Sequence, residues 1–148
     1  MLFAQTRQCR TIALVVALCF ALPAFFTAQA FADSHKDVVK IGGIFSVTGP
    51  ASFLGDPEKK SMQLAIEQIN GGGGIDGRML EGVIYDTEGD PSKTVISAGK
   101  LINKDGVTAI VGPSRTPTTL AVVPLVERAK LPFISCAAGN KIVDPVKP

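Results

Sequence analysis

The sequence predicts an α/β fold in which helices wind doubly around a parallel sheet. Three times an apolar strand runs into a short polar loop, and a proline then marks the start of a helix, at Pro57, Pro91 and Pro117. Proline suits the first helical position because its missing N–H would have no partner there. Units of this kind place the carboxyl ends of all strands at one edge of the sheet, where open α/β sheets bind ligands.

The predicted strands lie at residues 41–47, 82–86, 107–112 and 133–136, and an amphipathic helix follows each of the first three. Right-handed crossovers between them put helices on both faces of the sheet. Pro124 lies inside the third helical pattern and is expected to kink or shorten that helix. The apolar stripes of the three helices are Met62, Ala65, Ile66 and Ile69; Val95, Ala98, Gly99 and Ile102; and Leu120, Val123 and Val126.

The amino-terminal segment has the features of a secretory signal peptide. Arg7 and Arg10 precede an apolar run over residues 11–26, and two overlapping A-x-A cleavage sites follow. We predict cleavage after Ala32 and a periplasmic location for the mature protein. A membrane anchor is the competing interpretation, but this run is interrupted by a proline and is shorter than the ~20 residues that span a bilayer.

Charge and cysteine content exclude several classes of partner. The sequence has 15 Lys and Arg residues and 13 Asp and Glu residues, and removal of residues 1–32 leaves 13 of each. No basic stripe remains to hold nucleic acid, and no polybasic run remains to hold an anionic membrane surface. Cys136 is the only cysteine of the predicted mature chain, so packing must stabilise the fold without an internal disulfide.

The sequence predicts no metal site, no bound cofactor and no set of catalytic residues. The single histidine, His35, lies close to the predicted new amino terminus, and no His and Cys cluster has the spacing of metal ligands. Residues 86–90 alternate acids as a calcium loop does, but Pro91 occupies the position that needs glycine. Helix capping and loop solvation explain these acids better.

One segment is similar to the nucleophile elbow of α/β-hydrolases. Residues 112–116 (GPSRT) lie between a strand and a helix, as the G-x-S-x-G motif does, with Ser114 at the nucleophile position. Thr116 replaces the last glycine of that motif, and no histidine follows Ser114 in this sequence. A secreted hydrolase is therefore the enzyme alternative, and a non-enzymatic binding protein is the favoured interpretation.

The same segment suits the capture of a small polar solute. Helix amino termini present unpaired N–H groups to anions, and Ser114 and Thr116 add hydroxyls at the start of the third helix. Residues 135–139 (SCAAG) end the fourth strand with small side chains that leave the backbone accessible. We predict that the turns after the four strands gather at one rim and form a wall of a solute pocket.

An ordered set of segments resembles the type I periplasmic solute-binding proteins of branched-chain amino acid and amide ABC transporters. The segments are residues 40–56, 65–70, 73–77, 85–86, 90–91 and 111–113, and the resemblance covers nearly all of residues 38–148. It implies two α/β lobes that close on a solute and present it to a membrane permease. On this interpretation residues 33–148 form an incomplete first lobe of a longer, monomeric protein, and by themselves bind solute weakly or not at all.

The resemblance also implies roles for individual residues. Thr116 matches the hydroxyl residue that holds the solute carboxylate, and Ala137 matches the residue whose carbonyl receives an amino group. Gly139 stands in place of a threonine that contacts the solute, and Leu54 where amino-acid binders often have tyrosine. These departures point away from a strict leucine, isoleucine and valine binder and towards amides, urea-like solutes or aromatic carboxylates. The predicted ligand-binding residues are Leu54, Ser114, Thr116, Ala137 and Gly139.

Two further expectations come from the resemblance. Gly89 and Arg115 lie near the positions where the leucine-binding members have a disulfide. The same pair of lobes also serves as the ligand-sensing domain of membrane receptors, which is the alternative binding function. A membrane-spanning helix encoded beyond Pro148 would favour the receptor.

Overall fold

The computed structural model describes residues 38–144, which alternate between strands and helices. The strands are β1 (Val39–Phe45), β2 (Leu80–Asp86), β3 (Ala109–Val111) and β4 (Phe133–Ile134). They are parallel and lie in the order β2-β1-β3-β4. The helices are α1 (Ser52–Gly71), α2 (Pro91–Lys100) and α3 (Thr116–Ala129). The predicted doubly wound α/β fold is confirmed, while the predicted signal peptide lies outside the described residues.

Two of the three predicted helix starts are confirmed. Pro91 is the first residue of α2, and the side chain of Asp90 caps this helix by accepting a hydrogen bond from the Lys93 N–H at 2.8 Å. Pro117 is the second residue of α3. In both helices the proline lies where its missing N–H breaks no helical hydrogen bond.

The predicted start of α1 at Pro57 is wrong, because the helix begins five residues earlier at Ser52. The carbonyl of Ala51 accepts hydrogen bonds from the N–H groups of Leu54 and Gly55, which closes the first turn before the proline is reached. Pro57 then removes one hydrogen bond from a helix of 20 residues. The remaining bonds and the packing of the helix outweigh that loss.

The helix ends follow the glycine signals closely. α1 ends at Gly71 within the predicted glycine run, and a π-helical turn at Leu101–Asp105 prolongs α2 up to Gly106. Gly106 adopts a left-handed conformation with φ of 65°, which glycine tolerates best. α3 runs through Pro124 without a break, so the predicted shortening is wrong. None of the helices within residues 38–144 is long and apolar enough to cross a membrane.

The sheet has two unlike faces. Helices α2 and α3 cover the face that carries Ile44, Ile110 and Phe133, which we call the two-helix face. Helix α1 lies on the opposite face over β1 and β2, which we call the one-helix face. Because side chains alternate along a strand, the residues of β1 and β3 on the one-helix face are Ile41, Gly43, Phe45, Ala109 and Val111.

The buried core lies mainly on the two-helix face. The helix residues that it contains are partly different from those of the predicted apolar stripes. Val95 and Leu120 were expected inside but are each 39% exposed, whereas Thr94, Thr118 and Thr119 are fully buried. The Thr94 hydroxyl donates to the Asp90 carbonyl at 2.6 Å, so its methyl group can pack inward without an unsatisfied polar atom. The core cluster is Ile44, Ala98, Leu101, Val107, Ile110, Val122 and Val126.

The one-helix face is less completely covered. Met62 is buried against Gly43 of β1, but Ala65 and Ile69 of the predicted α1 stripe are exposed. Beside α1 runs a groove of about 590 Å³ whose lining includes Ile41, Met62 and Val111. Among the described residues, α1 is the only helix on this side of the sheet.

Candidate functional site

The loops after β1 and β2 are tied together by Asp86. Its carboxylate accepts hydrogen bonds from the N–H groups of Val47, Thr48 and Glu88 and from the Thr48 hydroxyl, the last at 2.6 Å. Desolvation raises the pKa of Asp86, but these hydrogen bonds, led by the one from the Thr48 side chain, outweigh it and leave the pKa below its ordinary value. The first two loops therefore share an ionised anchor.

The loops after β1 and β3 are joined by a buried serine pair. The N–H of Ser46 donates to the Oγ of Ser114 at 3.1 Å, and the Ser114 hydroxyl donates in turn to Oε2 of Glu58 on α1. Ser46 is fully buried and Ser114 is 4% exposed. This relay connects the end of β1, the loop after β3 and the second turn of α1.

The loops after β3 and β4 meet at Thr116 and Gly139. A Cβ added to Gly139 would lie 2.6 Å from Oγ1 and 3.0 Å from Cβ of Thr116, so the two residues are in direct contact. Deeper in the same interface the hydroxyls of Thr119 and Ser135 share a hydrogen bond of 2.9 Å. The prediction that all four loops gather at one rim is confirmed.

The start of α3 leaves polar groups available at this rim. Its N-cap residue, Arg115, is extended and makes no capping hydrogen bond, in contrast to Asp90 of α2. Within residues 38–144 the Thr116 hydroxyl has no hydrogen-bond partner, and the first N–H groups of a helix have no intrahelical acceptor. This end of α3 can therefore accept an anionic group.

A cavity of about 360 Å³ opens at the rim and collects three of the five predicted site residues, Leu54, Ser114 and Thr116. Ala137 and Gly139 do not line it; they line a neighbouring groove of about 580 Å³ beside α3. Ala138 borders both spaces. The five residues therefore lie on one continuous surface rather than in one pocket.

Two charged residues of the cavity, Glu58 and Arg115, are absent from the predicted set. Glu58 follows Leu54 by four positions in α1, which puts both side chains on the same face of the helix. That spacing could have indicated Glu58, but only if α1 had been predicted to begin before Leu54. Cys136 also lines the cavity. Desolvation and, to a smaller extent, the Glu58 charge raise the pKa of its thiol, while a hydrogen bond with the backbone of Gly112 lowers it; the net pKa is raised.

Arg115 lies against the loop after β2. Its Nη1 would be 3.2 Å from a Cβ added to Gly89, so residues 89 and 115 are spatial neighbours. The guanidinium has no ion pair among residues 38–144. It is the only cationic side chain that lines the cavity.

The acids of residues 86–90 have structural roles of the kind expected from the sequence. Asp86 ties the two loops, Asp90 caps α2, and Glu88 forms an ion pair with Lys93 at 2.6 Å. Each carboxylate therefore has a protein partner.

Ser114 does not have the surroundings of a hydrolase nucleophile. A nucleophile elbow exposes the serine Oγ and places it beside a general base, whereas the Ser114 hydroxyl is buried and bonded to Glu58. The single histidine, His35, lies outside the described residues. The relay is better suited to holding the Glu58 carboxylate in position.

Comparisons with known proteins agree with this fold. Residues 38–147 match the periplasmic binding protein family. A leucine-, isoleucine-, valine-, threonine- and alanine-binding protein from Pseudomonas aeruginosa is 43% identical over 96 residues, which are 62% of this chain and 26% of that protein. The chain thus spans about a quarter of the length of this relative.

Two solved structures are similar over the same region. One is the branched-chain amino acid transporter substrate binding protein LivJ from Streptococcus pneumoniae in complex with isoleucine, with 32% identity, a TM-score of 0.70, and coverage of 73% of this chain and 31% of that one. The other is a solute binding protein of an ABC transporter from Rhodopseudomonas palustris in complex with 3,4-dihydroxybenzoic acid. It has 33% identity, a TM-score of 0.67, and coverage of 74% of this chain and 30% of that one.

Proposed function

This chain belongs to the periplasmic binding protein family, and we propose that it forms one wall of the solute site in the binding component of an ABC importer. The protein binds a small amino acid, amide or carboxylate without chemical change and delivers it to a membrane permease. It acts as a monomer in the periplasm after removal of its signal peptide. The lobe formed by residues 33–148 supplies the rim described above, and a second lobe closes over it.

The observation that carries this proposal is a cavity, lined by α1 and by the loops after β3 and β4, that has unused hydrogen-bonding groups. The Thr116 hydroxyl and the uncapped first turn of α3 lie on one side of this cavity. Leu54 of α1 also lines it. Isoleucine and 3,4-dihydroxybenzoic acid, the ligands in the two similar structures, share only a carboxylate. A helix start with a free hydroxyl suits that shared group.

A thermal-shift screen tests the proposal directly. The complete gene product that carries residues 38–144 is heated with amino acids, amides and aromatic acids at about 1 mM each. A ligand with a micromolar Kd adds about 4 kcal/mol to the free energy of unfolding at that concentration, which raises Tm by several degrees. An unchanged Tm with all three classes would contradict solute capture.

Replacing Thr116, the proposed partner of the solute carboxylate, tests where the solute binds. Thr116→Val removes one hydrogen bond to a charged group and is expected to weaken a carboxylate ligand by about 1–3 kcal/mol. Thr108→Val, at the exposed residue before β3 on the opposite edge of the sheet, is the matched control. Isothermal titration calorimetry measures both variants, and equal affinity in the Thr116 variant and the wild type would place the carboxylate elsewhere.

A further inference from the structure

Among the described residues, Glu58 is the only acidic side chain that lines the rim cavity. It is half-buried, and the Ser114 hydroxyl donates a hydrogen bond to its Oε2. Ser114 is itself held by the N–H of Ser46, which is fully buried. The Glu58 carboxylate is therefore fixed by a relay that extends into the core.

Among residues 38–144, the Glu58 carboxylate has no cationic partner. The carboxylates of Asp56 and Glu88 form ion pairs with Lys60 and Lys93, and Glu58 takes part in neither. Arg115 borders the same cavity but forms no ion pair with Glu58. The carboxylate receives one hydrogen bond, from a neutral hydroxyl, so a cationic group that enters the cavity can form a charge-assisted hydrogen bond with it.

The rest of the cavity wall offers little competition for a cationic group. Leu54, Pro117 and Ala138 carry no polar side-chain atom. Position 139 cannot contribute one from the adjoining loop, because Thr116 occupies the space that a Cβ would need. Glu58 is consequently the only side chain of this wall that can neutralise a positive charge.

We propose that Glu58 is a specificity-determining residue that binds the protonated nitrogen of the solute, and that Ser114 is the residue that positions it. This assignment rests on the proposed function, since it needs a solute in the rim cavity. The solute then lies between the Glu58 carboxylate and the hydroxyl and N–H groups at the start of α3. A solute with one cationic and one anionic group uses both, whereas an amide or a simple carboxylate leaves Glu58 unpaired.

Matched probes that differ only in the amine test this role. The probes are L-leucine with 4-methylpentanoate, L-threonine with 3-hydroxybutanoate, and L-phenylalanine with 3-phenylpropanoate. Calorimetry on the complete gene product compares the wild type with Glu58→Gln. We expect the variant to bind the amine-bearing member of the preferred pair about 10- to 100-fold more weakly. Binding of the amine-free member is expected to change by less than about threefold.

Three further variants separate recognition from structure. Glu67→Gln replaces an exposed carboxylate on the same helix and is expected to bind like the wild type. Glu58→Asp keeps the charge on a shorter side chain and should retain part of the preference for the amine. Ser114→Ala should weaken the amine-bearing probe selectively, by about 3- to 10-fold, because the carboxylate is no longer oriented. Circular dichroism of each ligand-free variant establishes that it is folded.

The possible outcomes distinguish this inference from the function on which it rests. Selective loss of the amine-bearing probe in Glu58→Gln supports the role of Glu58. Equal loss of both members of a pair, or no loss, overturns that role while solute binding stands. Binding of amine-free probes or amides alone by the wild type overturns it as well. If the wild type binds no probe in this set or in the thermal screen, the proposed function itself fails.

Discussion

The two faces of the sheet are covered to different extents although the same four strands build both. On the two-helix face, α2 and α3 enclose a cluster of seven buried apolar residues around Ile110. On the one-helix face, α1 covers β1 and β2, and Ile134 of β4 remains 69% exposed. The comparison separates two tasks: one face supplies most of the packing energy, and the other carries the helix that brings Leu54 and Glu58 to the rim.

The largest difference between the faces is expected at two adjacent residues of β3. Ile110→Ala removes a fully buried side chain from the two-helix face and should lower the free energy of unfolding by about 3–4 kcal/mol. Val111→Ala, on the half-buried one-helix face, should cost about 1 kcal/mol. Urea denaturation followed by circular dichroism measures both. Equal losses would mean that the two faces are packed alike.

A second contrast uses the same substitution in two helices. Gly55 of α1 presses on the backbone of Ser46, and a Cβ there would overlap that backbone, so Gly55→Ala should cost about 2–3 kcal/mol. A Cβ on Gly99 of α2 meets no atom within 4 Å, so Gly99→Ala should stabilise by about 0.5–1 kcal/mol. Thermal denaturation compares the two variants. A stabilised Gly55 variant would show that α1 is free to move away from β1.

The stability that Asp86 contributes by tying the loops after β1 and β2 together should depend on pH. The pKa of Asp86 is lower in the folded protein than in the unfolded chain, so its ionised form contributes stability above about pH 4. That contribution is lost as the pH falls through the folded-state pKa. The difference in unfolding free energy between the wild type and Asp86→Asn should therefore be constant from pH 5 to 7 and shrink below pH 4. A difference that grows on acidification would contradict the loop tie.

The smallest effect is expected at the exposed edge of the one-helix face. Ile134→Thr replaces a mostly exposed side chain in β4, keeps a β-branched residue, and should change the free energy of unfolding by less than about 0.5 kcal/mol. Phe133→Ala, whose side chain packs on the core of the other face, is the matched comparison and should cost more. A loss above about 1 kcal/mol for Ile134→Thr would show that this residue is covered in solution.

The sequence allowed the fold to be predicted because its signals are local. The proline and Asp90 at the start of α2, the glycine run after α1 and the Gly106 stop each act within a few residues. The same local rules failed at Pro57, where the turn at Ala51 had already begun the helix. They also failed for the buried threonines, since side-chain hydrogen bonds to nearby carbonyls make Thr94 as suitable for the core as valine.

The lining of the rim cavity was predicted in part for a related reason. Strand ends of a parallel sheet must share one edge, so Ser114 and Thr116 could be placed together with Gly139 from topology alone. Glu58 could not, because its place in the cavity depends on the true start of α1 and on a hydrogen bond across 56 positions of sequence. Contacts of that separation leave no pattern in a single sequence.

The close approach of Gly55 to Ser46 has a mechanical consequence for the rim. It pins the amino end of α1 against the end of β1, while the far end of the helix reaches Gly71, its twentieth residue. Any tilt of α1 then pivots near the rim cavity, and the distal end of the helix moves farther than its amino end. Leu54 and Glu58 lie on either side of Gly55 in the helix, so both stay near the cavity when the distal end of α1 moves.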